Sequence, residues 1–296
     1  MKKWIFAFRL RTLPLALSSI LMGNFLAAWQ EAFSWSICIL TVLTTVFLQI
    51  LSNLANDYGD SVHGADSEER KGPKRAVQTG EISSTHMKMA IYVFSGLSLI
   101  SGVRLLLISF PGQWIWVMVF LAFGLAAIYA AITYTAGKNP YGYAGLGDIS
   151  VFLFFGLLGV LGSNFLQTKT FEWLIILPAI SCGLLATGVL NVNNIRDIES
   201  DEKAGKRSIP VRIGRNAAVV YHGFLIFLAI GSAFIFMVLN LNGPWQFLFL
   251  LTLPLLVKNF ISVKSKKLAS ELDPFLKQLA LSTLLFVVLF GLGLFL

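Results

Sequence analysis

Apolar residues recur along this chain in long runs, near 13–29, 35–55, 87–108, 114–134, 149–167, 173–194, 217–240, 244–263 and 275–296. A helix needs about 20 such residues to cross a bilayer. The pattern therefore predicts nine spanning helices, an all-α polytopic membrane bundle forming one domain over 1–296. The first run follows Lys2, Lys3, Arg9 and Arg11, but no small-residue cleavage site comes after it, so it is expected to stay as a spanning helix. Two connections, 58–86 and 195–216, are long and rich in glycine and charge. Connections of that length act as lids or binding loops, and short amphipathic helices capping one end of the bundle are expected there.

Charge fixes an expected orientation. Basic residues gather in cytoplasmic loops, and here 21 of 23 lie at the N-terminus or after helices 2, 4, 6 and 8; Arg104 and Lys169 are the exceptions. The N-terminus and the even-numbered helix ends are thus expected in the cytoplasm, with the C-terminus on the far side. With 56% hydrophobic and 13% charged residues, the net charge of +8 reads as an orientation signal rather than a nucleic-acid surface. Cys38 and Cys182 stand alone in apolar runs, and the three histidines lack metal-ligand spacing.

Against this background the polar ends of helices 2 and 6 stand out. Helix 2 ends in NLANDYGD (53–60); helix 6 ends in NVNNIRDIESDEKAGKRSIPVRIG (191–214). In both, asparagines lead to spaced aspartates and then to a Gly-Lys/Arg cluster, which suggests internal pseudo-symmetry. Residues three or four apart share a helix face. Gln49, Asn53, Asp57 and Asp60 therefore form one stripe, and Asn194, Asp197 and Asp201 a second.

Facing each other, the stripes would concentrate four carboxylates at one mouth of the bundle, a charge density that calls for cations. Oxygen ligands suit Mg²⁺, which takes one or two carboxylates, waters and phosphate oxygens. The adjoining Lys74, Arg75, Lys206 and Arg207 would bind phosphate beside it. Acid and base together at a lipid boundary point to a diphosphate with an apolar tail. The competing account is that Asp and Asn merely cap helices and turns; duplication of the whole arrangement argues against it.

At these residues the chain resembles the UbiA superfamily of intramembrane prenyltransferases, nine-helix proteins with two Asp-rich motifs. NDYGD carries Asp57 and Asp60 of the first motif, and DIESD carries Asp197 and Asp201 of the second. The third acid of the first motif would fall at Gly64; the nearest carboxylate is Asp66, two residues later. The resemblance implies a metal set of Asp57, Asp60, Asp66, Asp197 and Asp201, with Asn53, Lys74, Arg75, Lys138, Asn194, Lys206 and Arg207 toward the diphosphate. YTAGK supplies the family's Tyr-x-x-x-Lys, Tyr134 and Lys138, which by resemblance place the diphosphate. From the residues alone, Tyr134 reads as an interfacial anchor and Lys138 as a loop charge.

FRLRTLPLA (8–16), NDYGDSVHGAD (56–66) and NPYGYAGLGDISVFLFFG (139–156) further resemble the 1,4-dihydroxy-2-naphthoate polyprenyltransferases of that superfamily. This implies polyprenyl diphosphate and 1,4-dihydroxy-2-naphthoate as substrates, Mg²⁺ as cofactor, a bacterial inner membrane as location, and Asp148 with Tyr134 near the acceptor. From the residues alone, Asp148 reads equally as a helix N-cap. Superfamily relatives acting on 4-hydroxybenzoate or other acceptors share the Asp motifs and stay open. A secondary transporter, the rival from another class, would place its charges near the bilayer midplane, whereas these sit at helix ends. Arg104, the one charge well inside a predicted span, can snorkel to a helix end. The pattern specifies no oligomeric state.

Overall fold

The computed structural model describes residues 2–63 and 75–296. Among them every regular element is helical, and nine helices are long and apolar enough to cross a membrane. In chain order these are α1 (Lys2–Trp29), α2 (Trp35–Val62), α3 (Ser84–Ser109), α4 (Trp114–Thr133), α5 (Gly147–Thr168), α6 (Trp173–Arg196), α7 (Ile209–Leu239), α8 (Pro244–Ser265) and α9 (Ala269–Phe295). This is a multi-pass membrane protein, and the nine spans match the hydrophobic runs.

The ends differ from the apolar pattern for a definite reason. α2 runs on to Val62, so both first-motif aspartates are helical; their polar side chains are buried against other polar groups instead of marking a loop. At the other motif the helix stops sooner. α6 ends at Arg196, Asp197 stands at the junction (φ −100°, ψ 9°), and Asp201 lies on a separate short helix, Ile198–Lys203. The expected continuous stripe is thus broken once. Its spacing survives because Asp201 N–H still donates to the Asp197 carbonyl at 2.8 Å, as in an unbroken helix.

α6 is the hub, packed on α1, α5, α7 and α9. The main core lies along it, with Met22, Leu26, Ala179, Leu185, Phe236, Phe286 and Phe290 fully buried. A second core joins α2, α3 and the 76–82 turn through Leu51, Leu54, Ala76, Ile82 and Met87. Where α5 crosses α6, Gly156 and Gly183 meet backbone to backbone: a Cβ at 156 would stand 2.7 Å from the Gly183 Cα. Small residues at such crossings let helices approach closely in lipid. Around that contact α5 widens into a π-helix over Phe152–Leu161, a winding associated with functional sites.

Candidate active site

A cavity of about 600 Å³ runs from the acid-motif end of the bundle toward its other end. Its mouth is polar: Gln49, Asn53, Asn56 and Asp60 from α2, then Arg75, Tyr134, Arg196 and Lys206. Deeper in, Leu48, Leu105, Leu121, Phe154, Phe155 and Leu158 line it. Leu105, Leu106 and Leu166 line it as well and pack with Ile37, Phe110 and Val117 into an apolar cluster, with the Phe120 and Phe165 rings stacked at 5.5 Å.

The mouth is built from buried ion pairs. Arg75 is paired with Asp60, and Nη1 of Arg75 also donates to the Asn56 carbonyl. Arg196 grips its neighbour Asp197 with two bonds, Nε to Oδ1 at 2.8 Å and Nη2 to Oδ2 at 2.7 Å. Its third nitrogen donates to Asp273 of α9 at 2.7 Å. Lys206 Nζ lies 3.3 Å from Asp201 Oδ2. Asp60, Asp197 and Asp201 thus each have a cationic side chain of the chain itself beside them. Charges that leave water need partners or pay a large desolvation penalty, and here the chain supplies its own.

Asp57 is held differently. Only 1% exposed, its carboxylate accepts the backbone N–H groups of Ala76 and Val77 at 3.2 and 3.4 Å, pinning the turn that carries Arg75. Of the four aspartates, Asp60 alone lines the chamber; Asp197 and Asp201 reach it through Arg196 and Lys206. Asn53 donates to the Phe8 carbonyl and to Thr12, tying α2 to the break in α1. Asn194 is buried, and among the described residues its Oδ1 has no hydrogen-bond partner. Asp66 and Lys74 lie outside the described residues.

The loop between α4 and α5 bridges the two motifs. Tyr143 donates its hydroxyl to Asp60 at 2.9 Å, while its carbonyl accepts the Arg207 N–H at 2.9 Å. Arg212 donates to the Ala144 carbonyl at 2.6 Å. Gly145 (φ +81°) makes the contact possible, since a Cβ there would stand 2.2 Å from the Arg207 carbonyl oxygen. Tyr134, at the end of α4, lines the chamber between Asp60 and Lys206. Lys138 and the Arg207 side chain instead face outward and do not line the chamber. Asp148 is also placed away from it: buried, it accepts the Tyr221 hydroxyl of α7 at 3.1 Å.

Charge and burial tune these groups. Burial pushes the Tyr134 phenol up to about 12, against the pull of Lys206, so it stays protonated as a donor. Burial, then the charge of Asp60, drives Tyr143 upward as well. Burial raises Asp201 to about 6; Lys206 pulls the other way, and Asp197 adds to the rise. Desolvation alone would lower Lys206, but Asp201, Tyr134, Asp60 and Asp197 together hold it above its ordinary value, and it remains a cation.

The donor set fits a hard divalent ion. It is all oxygen, and among the described residues buried Asn194 Oδ1 has no hydrogen-bond partner, while Asp201 Oδ2 has the Lys206 ammonium 3.3 Å away. Among the described residues no three acidic, histidine or cysteine side chains converge into a cage. Mg²⁺ does not need one, since it keeps waters and substrate oxygens in its shell. Sequence reasoning missed Tyr143, Arg196 and Asp273. The adjacency of Arg196 to Asp197 was a usable signal; Asp273, beside Pro274 at a helix start, looks like an ordinary cap.

A membrane helix bundle whose polar mouth holds paired acids and bases above an apolar chamber suits an intramembrane enzyme whose ligand has a charged head and an apolar tail. The UbiA prenyltransferase family matches over residues 16–280, and the chain belongs to that family. It is 46% identical to the 1,4-dihydroxy-2-naphthoate octaprenyltransferase of Haemophilus influenzae, over 99% of this chain and 96% of that one. To the protein of the same name from Escherichia coli it is 44% identical, over 99% and 95%. Its fold is that of a UbiA homolog from Aeropyrum pernix K1 (TM-score 0.69, 16% identity, 96% of each chain). It also matches a UbiA homolog from Archaeoglobus fulgidus bound to DMAPP and Mg²⁺ (TM-score 0.63, 18% identity, 99% and 98%).

Proposed function

We infer that this protein transfers a polyprenyl group from a polyprenyl diphosphate to 1,4-dihydroxy-2-naphthoate, releasing diphosphate and CO₂, in menaquinone biosynthesis. One observation carries the reading: the paired charges at the chamber mouth open directly onto an apolar channel, in a chain 44–46% identical to two enzymes named for this transfer. Charges gathered at one end, away from the bilayer middle, disfavour a transporter.

Asp57, Asp60, Asp197 and Asp201, with Asn194, would hold the metal. Their partners Arg75 and Lys206, with Asn53 and Tyr134, would hold the diphosphate, so substrate binding exchanges partners within pairs already in place. When bound, a divalent ion neutralises charge on the leaving diphosphate. The prenyl C–O bond breaks with its electrons going to the diphosphate, and Lys206, Arg75 and the Tyr134 hydroxyl stabilise that charge. The naphthoate ring supplies the pair for the new C–C bond, and the carboxyl leaves as CO₂ with its bonding pair kept by the ring. Phe154, Phe155 and Leu158 exclude water, which would otherwise capture the allylic cation. Lys138 and Arg207, both exposed, would draw anionic substrate toward the mouth, and Asp148 would hold α5 against α7 through Tyr221.

The test is an assay of membranes with one radiolabelled prenyl diphosphate and a panel of aromatic acceptors. The naphthoate is expected to be the preferred acceptor; preference for 4-hydroxybenzoate would favour the other branch of the family. EDTA should abolish turnover and Mg²⁺ restore it, because the site offers oxygen ligands; full activity in excess EDTA would count against the metal assignment. We also propose that the mouth faces the cytoplasm, supported by the basic loops. Cysteine introduced at Ser200 should then be labelled only by reagent reaching the cytoplasmic side, and labelling from outside would reverse the orientation.

A further inference from the structure

The chamber mouth has two charged walls, and they differ in what they leave unsatisfied. On the wall of α2 and the second motif, each cation is matched by a buried acid, Arg75 by Asp60 and Lys206 by Asp201. The other wall is made by α1, α6 and α9. There Arg196 directs four of its five N–H donors to Asp197, Asn193 and Asp273. Among the described residues Arg11 reaches only Asp273 Oδ2, at 3.5 Å, well beyond the 2.7–2.9 Å of a good charged hydrogen bond. Lys277 lines the chamber one turn along α9 from Asp273 and has no hydrogen bond or ion pair among the described residues.

We propose that Arg11 and Lys277 seat the carboxylate of the aromatic acceptor, an assignment that rests on the function inferred above. Leu15 and Leu276 line the chamber beside them, so the same wall offers an apolar surface to the ring. Charge separates the two substrates: the diphosphate, with several negative charges and a metal requirement, belongs to the acid-rich wall, and a singly charged acid belongs to the wall with spare cations. Both cations are exposed, Arg11 at 47%, so they hold the carboxylate in a partly wet setting that does not strongly oppose its departure. Loss of CO₂ then removes the group that anchors the ring. The prenylated product keeps no anion for this wall to hold, and it departs into the lipid.

The test uses purified full-length protein with each substrate varied against saturating amounts of the other. Lys277→Gln and Arg11→Gln should each raise the KM for the naphthoate about tenfold, and more when combined, while the KM for the prenyl diphosphate stays within about twofold. Lys277→Arg should keep a near-parent KM. In equilibrium binding, the parent should prefer 1,4-dihydroxy-2-naphthoate over 1,4-dihydroxynaphthalene, which lacks the carboxylate, and the double variant should lose that preference. An unchanged naphthoate KM, an equal rise for the diphosphate substrate, or failure of Lys277→Arg to preserve the KM would overturn the assignment. If the parent itself does not prenylate the naphthoate, the functional reading falls and the proposal with it; if the parent works and the variants match it, the proposal alone falls.

Discussion

Asparagine at Asp60 or Asp201 is expected to cut turnover by about 10²–10³-fold, the usual effect of losing one stabiliser of transition-state charge. The substitution keeps size and one acceptor oxygen, so Tyr143 can still donate to position 60. What disappears is the negative charge that the metal and the neighbouring cation both require. Asp60→Asn also leaves Arg75 buried without its counter-ion, and breaking one side of such a pair costs about 3–5 kcal/mol. Stability and rate must therefore be read separately, by thermal unfolding in detergent and by turnover of the folded fraction with saturating Mg²⁺ and both substrates. Near-normal turnover in the folded fraction of either variant would return these acids to the status of structural ion-pair partners.

Valine at Gly156 should cost about 3 kcal/mol of stability, at the upper end for overpacking. A Cβ there would meet the Gly183 Cα at 2.7 Å and the Ala179 carbonyl at 2.8 Å. Both are backbone atoms, so no side chain can swing aside and α5 must move off α6. Because α6 ends in the Arg196–Asp197 pair, activity should fall as well. Gly162→Ala on the same helix is the control: its Cβ would find nothing nearer than 3.7 Å. An unchanged unfolding midpoint for Gly156→Val would show that the crossing is looser than this contact implies.

Much of this architecture was legible in advance because spanning length and hydropathy are properties of single segments. All nine spans correspond to apolar runs, and the three- and four-residue spacing put Asn53, Asp57 and Asp60 on one buried face. Pairing was not legible, since partners are chosen by the tertiary fold. Nothing local to Tyr143 says that it will meet Asp60, 83 positions away, or that Asp273 will meet Arg196, 77 positions away. Lys138 and Asp148 show the converse. Both sit in segments that carry the family likeness, yet one side chain faces outward and the other is turned against Tyr221.

The apolar cluster along the chamber has a duty unconnected with prenyl transfer. A chamber that reaches from one end of a membrane bundle toward the other would be a short circuit if water filled the whole path. Each elementary charge crossing a membrane dissipates about 2.3 kcal/mol per 100 mV, and a quinone-making membrane exists to maintain that voltage. Ile37, Leu105, Leu106, Phe110, Val117 and Leu166, with the stacked Phe120 and Phe165, pack into an apolar cluster that offers water no polar partner along that path. Alanine at Phe110 or Leu166 is therefore expected to raise passive ion leak through vesicles carrying the protein, a cost separate from any change in its kinetic constants.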